Sequence, residues 1–246
     1  MIYDCFLFDN ELTLLEVRLN TLASLVDKFV LVEAIHTFQG EPKPLYYDEH
    51  KADARFAPFA DKIIHVVDDH EPAKETWPNE RRQRSLLIRP AMQPDDLVFI
   101  CDVDEIWRPE IVALCTDDTP KTLVMTLYRY AFNCQFGAWP TPVVARAKDL
   151  AYLNTLYGMR NVAGAGMITG AGWHFSYLMS PQEIADKICR FSHSEWNHRP
   201  YNDPEYIRVC IEQRIDIYTG RDCRVVPLDA PEYVMNNQAR FKEFIF

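Results

Sequence analysis

The sequence lacks a surplus of positive charge, since its 36 acidic residues outnumber its 26 basic ones and give a formal net charge of −10. Proteins that bind nucleic acid need a basic face that displaces counterions, so no nucleic-acid partner is expected. The same balance disfavours binding to an anionic membrane surface. For an anionic substrate, a local cluster of arginine and lysine or a bound metal ion has to overcome the repulsion.

Long hydrophobic runs and paired cysteines are also absent from the sequence. No stretch of roughly 18 apolar residues occurs, so no transmembrane helix is expected, and the start MIYDCFLFDNE lacks the basic region of a signal peptide. The seven cysteines never form a C-x-x-C pair, which fits neither a zinc site nor a disulfide framework. We therefore expect a cytoplasmic protein whose thiols are reduced.

Glycine is scarce, with eight glycines against sixteen prolines, and the first of them is Gly40. The glycine-rich N-terminal signature expected of a nucleotidyltransferase is therefore missing, and the loops are expected to be stiff. No repeat, low-complexity tract or linker divides the chain, so a single domain over residues 1–246 is predicted.

Apolar runs and helical patterns alternate through the first hundred residues. The predicted strands are residues 2–8, 29–34, 62–67 and 97–101. One predicted helix begins at Asn10, and another runs from Thr76 to Met92. This order is typical of an α/β protein with a mostly parallel central sheet flanked by helices. Ligands of such sheets bind at the carboxyl ends of the strands.

The second half of the chain is less regular. Strands are predicted over residues 122–133 and 173–178, and a helix is predicted over residues 205–217. A further helix is predicted to begin with Ser180 as its N-cap and Glu183 as the third residue of a capping box.

The sharpest feature of the sequence is the end of the fourth predicted strand. In DDLVFICDVDEIW five non-polar residues run directly into Asp102, Asp104 and Glu105. Carboxylates spaced by one residue beyond a strand end point into a common space, and hard oxygen ligands suit Mg²⁺ or Mn²⁺. The alternative is a solvated acidic turn that caps the helix near Pro109.

Arg81, Arg82 and Arg84 lie on the predicted helix just before that strand. In the functional interpretation they face the same crevice and hold phosphate groups. In the alternative interpretation they form an exposed helix face that pairs with Glu75 and Glu80.

Two downstream segments offer further candidate residues. GWHFSY places His174 in an apolar setting, where the glycines before it would let the backbone approach a ligand, so His174 is either a metal or phosphate contact or a satisfied semi-buried residue. SHSEWNH holds Glu195 between His193 and Trp196, which fits a general base with a tuned pKa or a polar loop anchored by the tryptophan.

Several segments, taken in order, resemble glycosyltransferase family 17. They cover roughly residues 2–210 and read YDCFLFDNELTLLEVRLNTLASLVDKFVLVEA, KPLYYDE, DKIIHV, W-x-x-E-x-x-x-R, DLVFICDVDEI, AGWHFSY and FSHSEWN. The family includes N-acetylglucosaminyltransferases that modify N-glycans. The chain lacks the membrane anchor and stem of the vertebrate members, so it resembles a soluble bacterial or viral relative that consists of the catalytic domain.

The resemblance implies a GT-A fold, with residues 1–107 as the nucleotide-sugar half and 108–246 as the acceptor half. It implies inverting transfer from a nucleotide sugar, by family analogy UDP-GlcNAc, to a glycan acceptor, with Mn²⁺ or Mg²⁺ as cofactor. Asp102 and Asp104 would be the D-x-D pair that holds the cation against the diphosphate. Asn10, Glu11 and Glu33, with the arginine-bearing helix of Arg81 and Arg84, would surround the nucleotide.

The expected reaction is a direct displacement in which His174 or an arginine assists the leaving diphosphate. Glu195 is predicted as the general base, with Glu105 as the second choice because a residue so near the metal more plausibly orients Asp102 or Asp104. Two other functions stay open: a non-catalytic carbohydrate- or nucleotide-binding protein, and a metal-dependent phosphohydrolase. Such hydrolases usually carry their Asp pair after the first strand, whereas here it follows roughly the fourth.

Overall fold

The computed structural model of the protein describes residues 1–150 and 166–246, and its strands join in one nine-stranded sheet. The strands are β1 (Ile2–Leu7), β2 (Lys28–Ala34), β3 (Ile63–Asp68), β4 (Leu97–Asp102), β5 (Glu105–Trp107), β6 (Lys121–Arg129), β7 (Cys134–Arg146), β8 (Gly166–Ser176) and β9 (Arg224–Val225). The helices are α1 (Leu12–Leu22), α2 (Tyr46–His50), α3 (Thr76–Leu86), α4 (Pro181–Ile188), α5 (Pro204–Gln213) and α6 (Glu232–Asn236). Within these two ranges no helix combines the length and apolar character needed to cross a bilayer.

The strand order across the sheet is β3-β2-β1-β4-β7-β6-β8-β5, and β9 pairs with β7. β1 pairs in parallel with both β2 and β4, and β2 pairs in parallel with β3. β7 is antiparallel to β4 and β6, while β6 and β8 are parallel and β5 is antiparallel to β8. The predicted α/β class is confirmed: the first half of the sheet is parallel, and the second half is mixed.

The parallel strands are mostly apolar because the sheet is buried on both faces. Successive side chains of a strand point to opposite faces, so the residues of β4 divide between two cores. Phe99 and Cys101 belong to the core beneath α1, and Val98 and Ile100 belong to the core on the other face. The continuous apolar sequence of β4, which predicted a buried strand, therefore packs into a core on each face of the sheet.

Two of the predicted helices end earlier in the structure than in the sequence interpretation. α3 ends at Leu86 rather than Met92, since Pro90 cannot continue a helix and restricts the residue before it. α5 ends at Gln213 because Arg214 adopts the left-handed conformation, with φ of 57°. The predicted start of α4 is confirmed, with Ser180 and Glu183 forming a reciprocal capping box.

Gly172 is required by the packing of two strands. A Cβ at this position would overlap the carbonyl oxygen of Ile106 and lie 2.8 Å from the Cα of Trp107. β5 approaches β8 this closely only because Gly172 has no side chain. The glycines before His174 were expected to let the backbone approach a ligand, but Gly172 instead lets β8 approach the backbone of β5. Gly164, another of these glycines, lies outside the described residues.

A buried ion pair fixes the position of the turn that follows β4. Arg18 of α1 and Asp4 of β1 are both fully buried and joined by two hydrogen bonds of 2.7 and 2.6 Å. Nη1 of the same guanidinium donates to the carbonyl oxygens of Asp102 (2.9 Å), Val103 (3.3 Å) and Glu105 (2.8 Å). Although burial disfavours the charged form, Asp4 raises the pKa of Arg18 above its usual range.

Arg18→Met should destabilise the protein by about 3–5 kcal/mol, because it leaves the Asp4 carboxylate buried without its partner. Equilibrium unfolding in urea measures this loss. The matched control is Arg208→Met, which breaks an exposed ion pair with Glu205 and Glu212 and should leave the unfolding midpoint close to that of the wild type.

Combining Arg18→Met with Asp4→Asn should recover part of the lost stability, since the uncompensated charge is then removed. An Arg18→Met variant as stable as the wild type would show that the ion pair does not hold the turn in place.

Candidate active site

A cleft of about 1000 Å³ opens where the ligand edge of the sheet was predicted. Its lining comes from the ends of β1, β2, β4 and β8, from β7, from α3, and from α4 with the loop that follows it. Of the residues predicted as functional, those that line this cleft are Glu11, Arg81, Arg82, Arg84, Asp102, Asp104 and His174. The structure therefore brings together seven side chains that the sequence distributes over more than 160 residues.

Asp102 is held by an arginine from α3. Nη1 and Nη2 of Arg84 lie 2.8 and 3.3 Å from the two carboxylate oxygens of Asp102, and Nε of Arg84 donates to Glu80 at 2.8 Å. Burial disfavours the guanidinium, but Asp102 and Glu80 raise the pKa of Arg84 above its usual range. Two interpretations of the arginine helix were open: pairing with Glu80, and a role in the crevice. Arg84 combines both, since it pairs with Glu80 and lies in the cleft.

Asp104 is buried between two basic groups. Its Oδ1 lies 3.6 Å from Nε2 of His174, and its Oδ2 lies 3.4 Å from Nζ of Lys187. Burial alone favours the neutral acid, but Lys187 and His174 hold the pKa of Asp104 well below its usual range. The two aspartates of the D-x-D pair therefore differ: one is matched to arginine, the other to lysine and histidine.

Lys187 connects the end of β4 to the end of β1. Its Nζ also lies 2.8 Å from Oε1 of Glu11, whose Oε2 accepts hydrogen bonds from the backbone N–H groups of Asp9 and Asn10. Burial disfavours the ammonium ion, yet Glu11 and Asp104 raise the pKa of Lys187 well above its usual range. Glu11, predicted to contact the nucleotide, thus positions Lys187 in the cleft.

Asn10 and Glu33, also predicted near the nucleotide, do not line this cleft. Asn10 lines an adjacent cavity of about 640 Å³, which shares Glu11 with the cleft. Glu33 is fully buried beneath the end of β2, where it accepts hydrogen bonds from the backbone of Tyr47 and pairs with His65 and Lys43. Glu33 therefore contacts the cleft only indirectly, through Lys43, which lines it.

Glu105 is fully buried, and both of its carboxylate oxygens accept hydrogen bonds. Oε1 accepts from Nε1 of Trp139, and Oε2 accepts from the backbone N–H of Asp102, each at 2.6 Å. The indole of Trp139 in turn lies 4.6 Å from the ring of His174. The full burial of Glu105 keeps its carboxylate away from an acceptor in the cleft, and its two hydrogen bonds fit the orienting role that was the sequence-based alternative.

Glu195 lies outside the lining of the cleft. Its side chain is about half exposed, and its Oε1 is 2.7 Å from Nδ1 of His193, which does line the cleft. The hydrogen bond with His193 lowers the pKa of Glu195, which makes the carboxylate a weaker base. The structure therefore places His193, and not Glu195 itself, in the lining of the cleft.

The fit of a divalent cation can be tested on the donor groups. Asp104 and His174 face each other, Asp102 lines the same cleft, and Nδ1 of His174 is buried without a hydrogen-bond partner among the described residues. Within residues 1–150 and 166–246, no three potential ligands are gathered into a preformed metal site. The donor set fits Mn²⁺ or Mg²⁺ when water or a diphosphate supplies the other ligands, as these ions usually require.

The sequence interpretation missed Lys187 and Ser192 as parts of the site, and it did not connect Trp139 with Glu105. Lys187 had no local signal, because it acquires its role from residues more than 30 positions away. Ser192 and Glu80 are joined by a short hydrogen bond between their side chains. That contact links two of the quoted segments, W-x-x-E-x-x-x-R and FSHSEWN, and their joint presence was the available signal.

Comparisons with known proteins agree with the motif order. The model of glycosyltransferase family 17 matches residues 1–220. The human β-1,4-mannosyl-glycoprotein 4-β-N-acetylglucosaminyltransferase is 26% identical over 95% of this chain and 52% of its own length, and the rat protein is 25% identical. The chain thus spans about half the length of the curated relatives it matches.

Two solved structures are similar at a low level. The galactosyltransferase LgtC, in complex with donor and acceptor sugar analogues, is 10% identical with a TM-score of 0.38, covering 96% of this chain and 99% of LgtC. A nucleoside-diphosphate-sugar pyrophosphorylase from Vibrio cholerae is 11% identical with a TM-score of 0.36, covering 72% of this chain and 92% of that one. At these scores neither likeness bears on function.

Glu105→Gln should lower the free energy of unfolding by about 1–3 kcal/mol, because the new amide N–H₂ faces one of two buried N–H donors. Equilibrium unfolding measures the change. Glu195→Gln is the matched control, since the same substitution at an exposed carboxylate should leave the unfolding midpoint nearly unchanged. Equal stability of the two variants would contradict the orienting role of Glu105.

Proposed function

This chain belongs to glycosyltransferase family 17, and from that premise we propose that it transfers a sugar from a nucleotide-sugar donor to a glycan hydroxyl. The proposed donor is UDP-GlcNAc. The observation that carries the proposal is the position of Asp102 and Asp104 at the carboxyl end of β4, inside a cleft large enough for a nucleotide sugar. The relatives' name makes a β-linked mannose of a glycoprotein glycan the first acceptor to assay.

The charge of the cleft supports an anionic donor in a protein with a net charge of −10. Its lining includes basic side chains from four segments of the chain: Lys43, Arg81, Arg82, Arg84, Lys187 and Arg190. Guanidinium groups recognise phosphate oxygens by paired hydrogen bonds, and an ammonium group adds a compact positive charge. This local cluster offsets the carboxylates of the cleft and so reduces the repulsion that the acidic composition imposes on a diphosphate.

The proposed arrangement follows the GT-A plan, with residues 1–107 binding the nucleotide sugar and 108–246 providing the acceptor side. The parallel strands β1 to β4 lie within the first range, and β1, β2 and β4 end at the cleft. The second range contributes Trp139, His174, Ser176 and Tyr177 to the opposite part of the lining. An acceptor on that side would approach the donor sugar across the cleft.

We propose that Asp102, Asp104 and His174 hold a divalent cation, Mn²⁺ or Mg²⁺, together with the donor diphosphate. Such an ion neutralises the charge that develops on the leaving nucleoside diphosphate. Arg84 orients Asp102, and Lys187 keeps Asp104 ionised while offering a second positive charge near the leaving group. Trp139 positions the ring of His174 and excludes water from one side of it.

Inverting transfer needs a base that accepts the proton of the acceptor hydroxyl while the bond to the diphosphate breaks on the other face of the sugar. Glu195 stays the predicted base, and in this proposal it acts through His193, which lines the cleft and shares a hydrogen bond with it. In such a pair the imidazole accepts the proton of the hydroxyl group, and the carboxylate orients the imidazole ring. The rival phosphohydrolase assignment is less consistent with a D-x-D pair at the end of β4.

Asp104→Asn should reduce transfer from UDP-GlcNAc by at least ~100-fold in the presence of Mn²⁺, because it removes an anionic ligand of the cation. Release of UDP in the presence of a mannose-containing acceptor measures the rate, and titration calorimetry measures the affinity for Mn²⁺. Asp117→Asn, an exposed aspartate outside the cleft lining, is the matched control and should retain full activity.

EDTA should abolish the activity of the wild-type protein. Full activity of Asp104→Asn with EDTA present would refute the metal role. A thermal-shift screen with UDP, GDP and dTDP, with and without Mn²⁺, tests the donor: no shift with any nucleotide would favour a non-catalytic carbohydrate-binding protein.

Glu195→Gln should lower kcat on the order of 100-fold and leave the KM for UDP-GlcNAc unchanged, as expected for the loss of a general base. Steady-state kinetics over a range of pH measures both constants. Glu212→Gln, on an exposed part of α5, provides the control for the same chemical change. An unchanged kcat in Glu195→Gln would remove this residue from the mechanism.

A further inference from the structure

One face of α3 carries an aromatic ring and two guanidinium groups in a row along the cleft. Trp77, Arg81 and Arg84 all line the cleft and follow one another at positions i, i+4 and i+7. Seven residues of an α-helix complete almost two turns, so the first and last of these side chains leave the helix on the same side. The row begins at the first turn of α3 and ends at Asp102.

Trp77 has an unusual environment for a tryptophan. It is 42% exposed, and it lies in the lining of the cleft rather than in the core. The ring of His193 meets it edge-on, with ring centroids 4.8 Å apart and an angle of 85° between the planes. On either side of Trp77, Thr76 donates a hydrogen bond to the backbone carbonyl of Ser192, and Glu80 accepts one from the Ser192 hydroxyl. These two bonds fix this part of α3 to the neighbouring loop.

Arg81 lies between Trp77 and the D-x-D pair. It is exposed, lines the cleft, and makes no ion pair with another residue of the described ranges. Arg82 and Arg84, its neighbours on the same helix, are by contrast engaged with Asp68 and Asp102. Arg81 therefore has a guanidinium group that can bind a ligand without first breaking an internal ion pair.

The length of the row matches a nucleoside diphosphate. At a rise of about 1.5 Å per residue, the backbone positions of Trp77 and Arg84 are separated by roughly 10 Å along the helix axis. An extended nucleoside diphosphate has its base at one end and its terminal phosphate at the other, over a similar length. With the diphosphate near Asp102 and Asp104, the base falls beside Trp77.

We propose that Trp77 is the stacking platform for the nucleobase of the donor, with Arg81 binding the phosphates between the base and the D-x-D pair. This inference rests on the proposed function, and it adds the residue that recognises the nucleoside part. Stacking on an indole is available to every base, because each has a π-face, so Trp77 contributes affinity more than discrimination between bases.

The position of α3 favours a nucleobase over an acceptor sugar as the partner of Trp77. α3 packs on β1, β2 and β3, which belong to the parallel half of the sheet. In the proposed arrangement the acceptor lies against side chains of β7 and β8 in the mixed half, such as Trp139 and His174. An acceptor sugar on Trp77 would instead lie against the half of the sheet that is proposed to bind the donor.

The test compares the binding of UDP and inorganic pyrophosphate to the full chain by titration calorimetry in the presence of Mn²⁺. Pyrophosphate has the phosphates of the donor but no base. Trp77→Ala should weaken the binding of UDP by about 10-fold or more, within the range measured for base–aromatic stacking, and leave pyrophosphate binding unchanged. Arg81→Gln should weaken the binding of both ligands.

Trp77→Phe keeps an aromatic ring and should retain most of the affinity for UDP. Leu114→Ala truncates another exposed apolar side chain, outside the cleft lining, and serves as the control for a general surface effect. Circular dichroism spectra that overlay with the wild type show that each variant is folded.

Each remaining outcome overturns the inference in a distinguishable way. If Trp77→Ala binds UDP as tightly as the wild type, or loses UDP and pyrophosphate equally, Trp77 is not a base platform while the donor site stands. If only the KM for the acceptor rises, Trp77 contacts the acceptor. If the wild type binds pyrophosphate but neither UDP, GDP nor dTDP, the nucleotide-sugar donor itself is wrong.

Discussion

The buried ion pair between Arg18 and Asp4 is the contact on which the cleft depends. It connects α1, β1 and the turn after β4 in one place, because a single guanidinium binds a carboxylate and three backbone carbonyls. Trp107 adds a 3.0 Å hydrogen bond from its indole to the same carboxylate. The D-x-D turn is therefore held from the core side, which leaves the side chains of Asp102 and Asp104 directed towards the cleft.

Charge in the cleft is balanced locally. Arg84 pairs with Asp102, and Lys187 pairs with both Asp104 and Glu11, so each of these carboxylates has a basic partner. A cation and a diphosphate bring opposite charges of their own and can enter together without leaving a buried group unpaired. Binding of donor and metal is thus expected to be coupled, a consequence of packing ionised groups at the edge of a buried sheet.

Local sequence patterns account for the part of the site that could be predicted. The D-x-D pair was found because an apolar strand that ends on carboxylates is a local pattern, and the start of α4 was found because Ser180 and Glu183 form a local capping box. Lys187 was missed because nothing within α4 distinguishes it from a surface lysine. Its partners, Glu11 and Asp104, lie in the segments that follow β1 and β4, and only the folded chain brings them within 4 Å.

The sequence by itself determined the parallel half of the sheet, the acidic end of β4 and the family, since each depends on residue order over short stretches. Only the tertiary structure decided the mixed half of the sheet and the different environments of Asp102 and Asp104. It also separated Glu195 from the cleft and put Trp77 in it. The physical reason is that burial and charge pairing depend on distances between segments far apart in the chain, which a one-dimensional pattern does not contain.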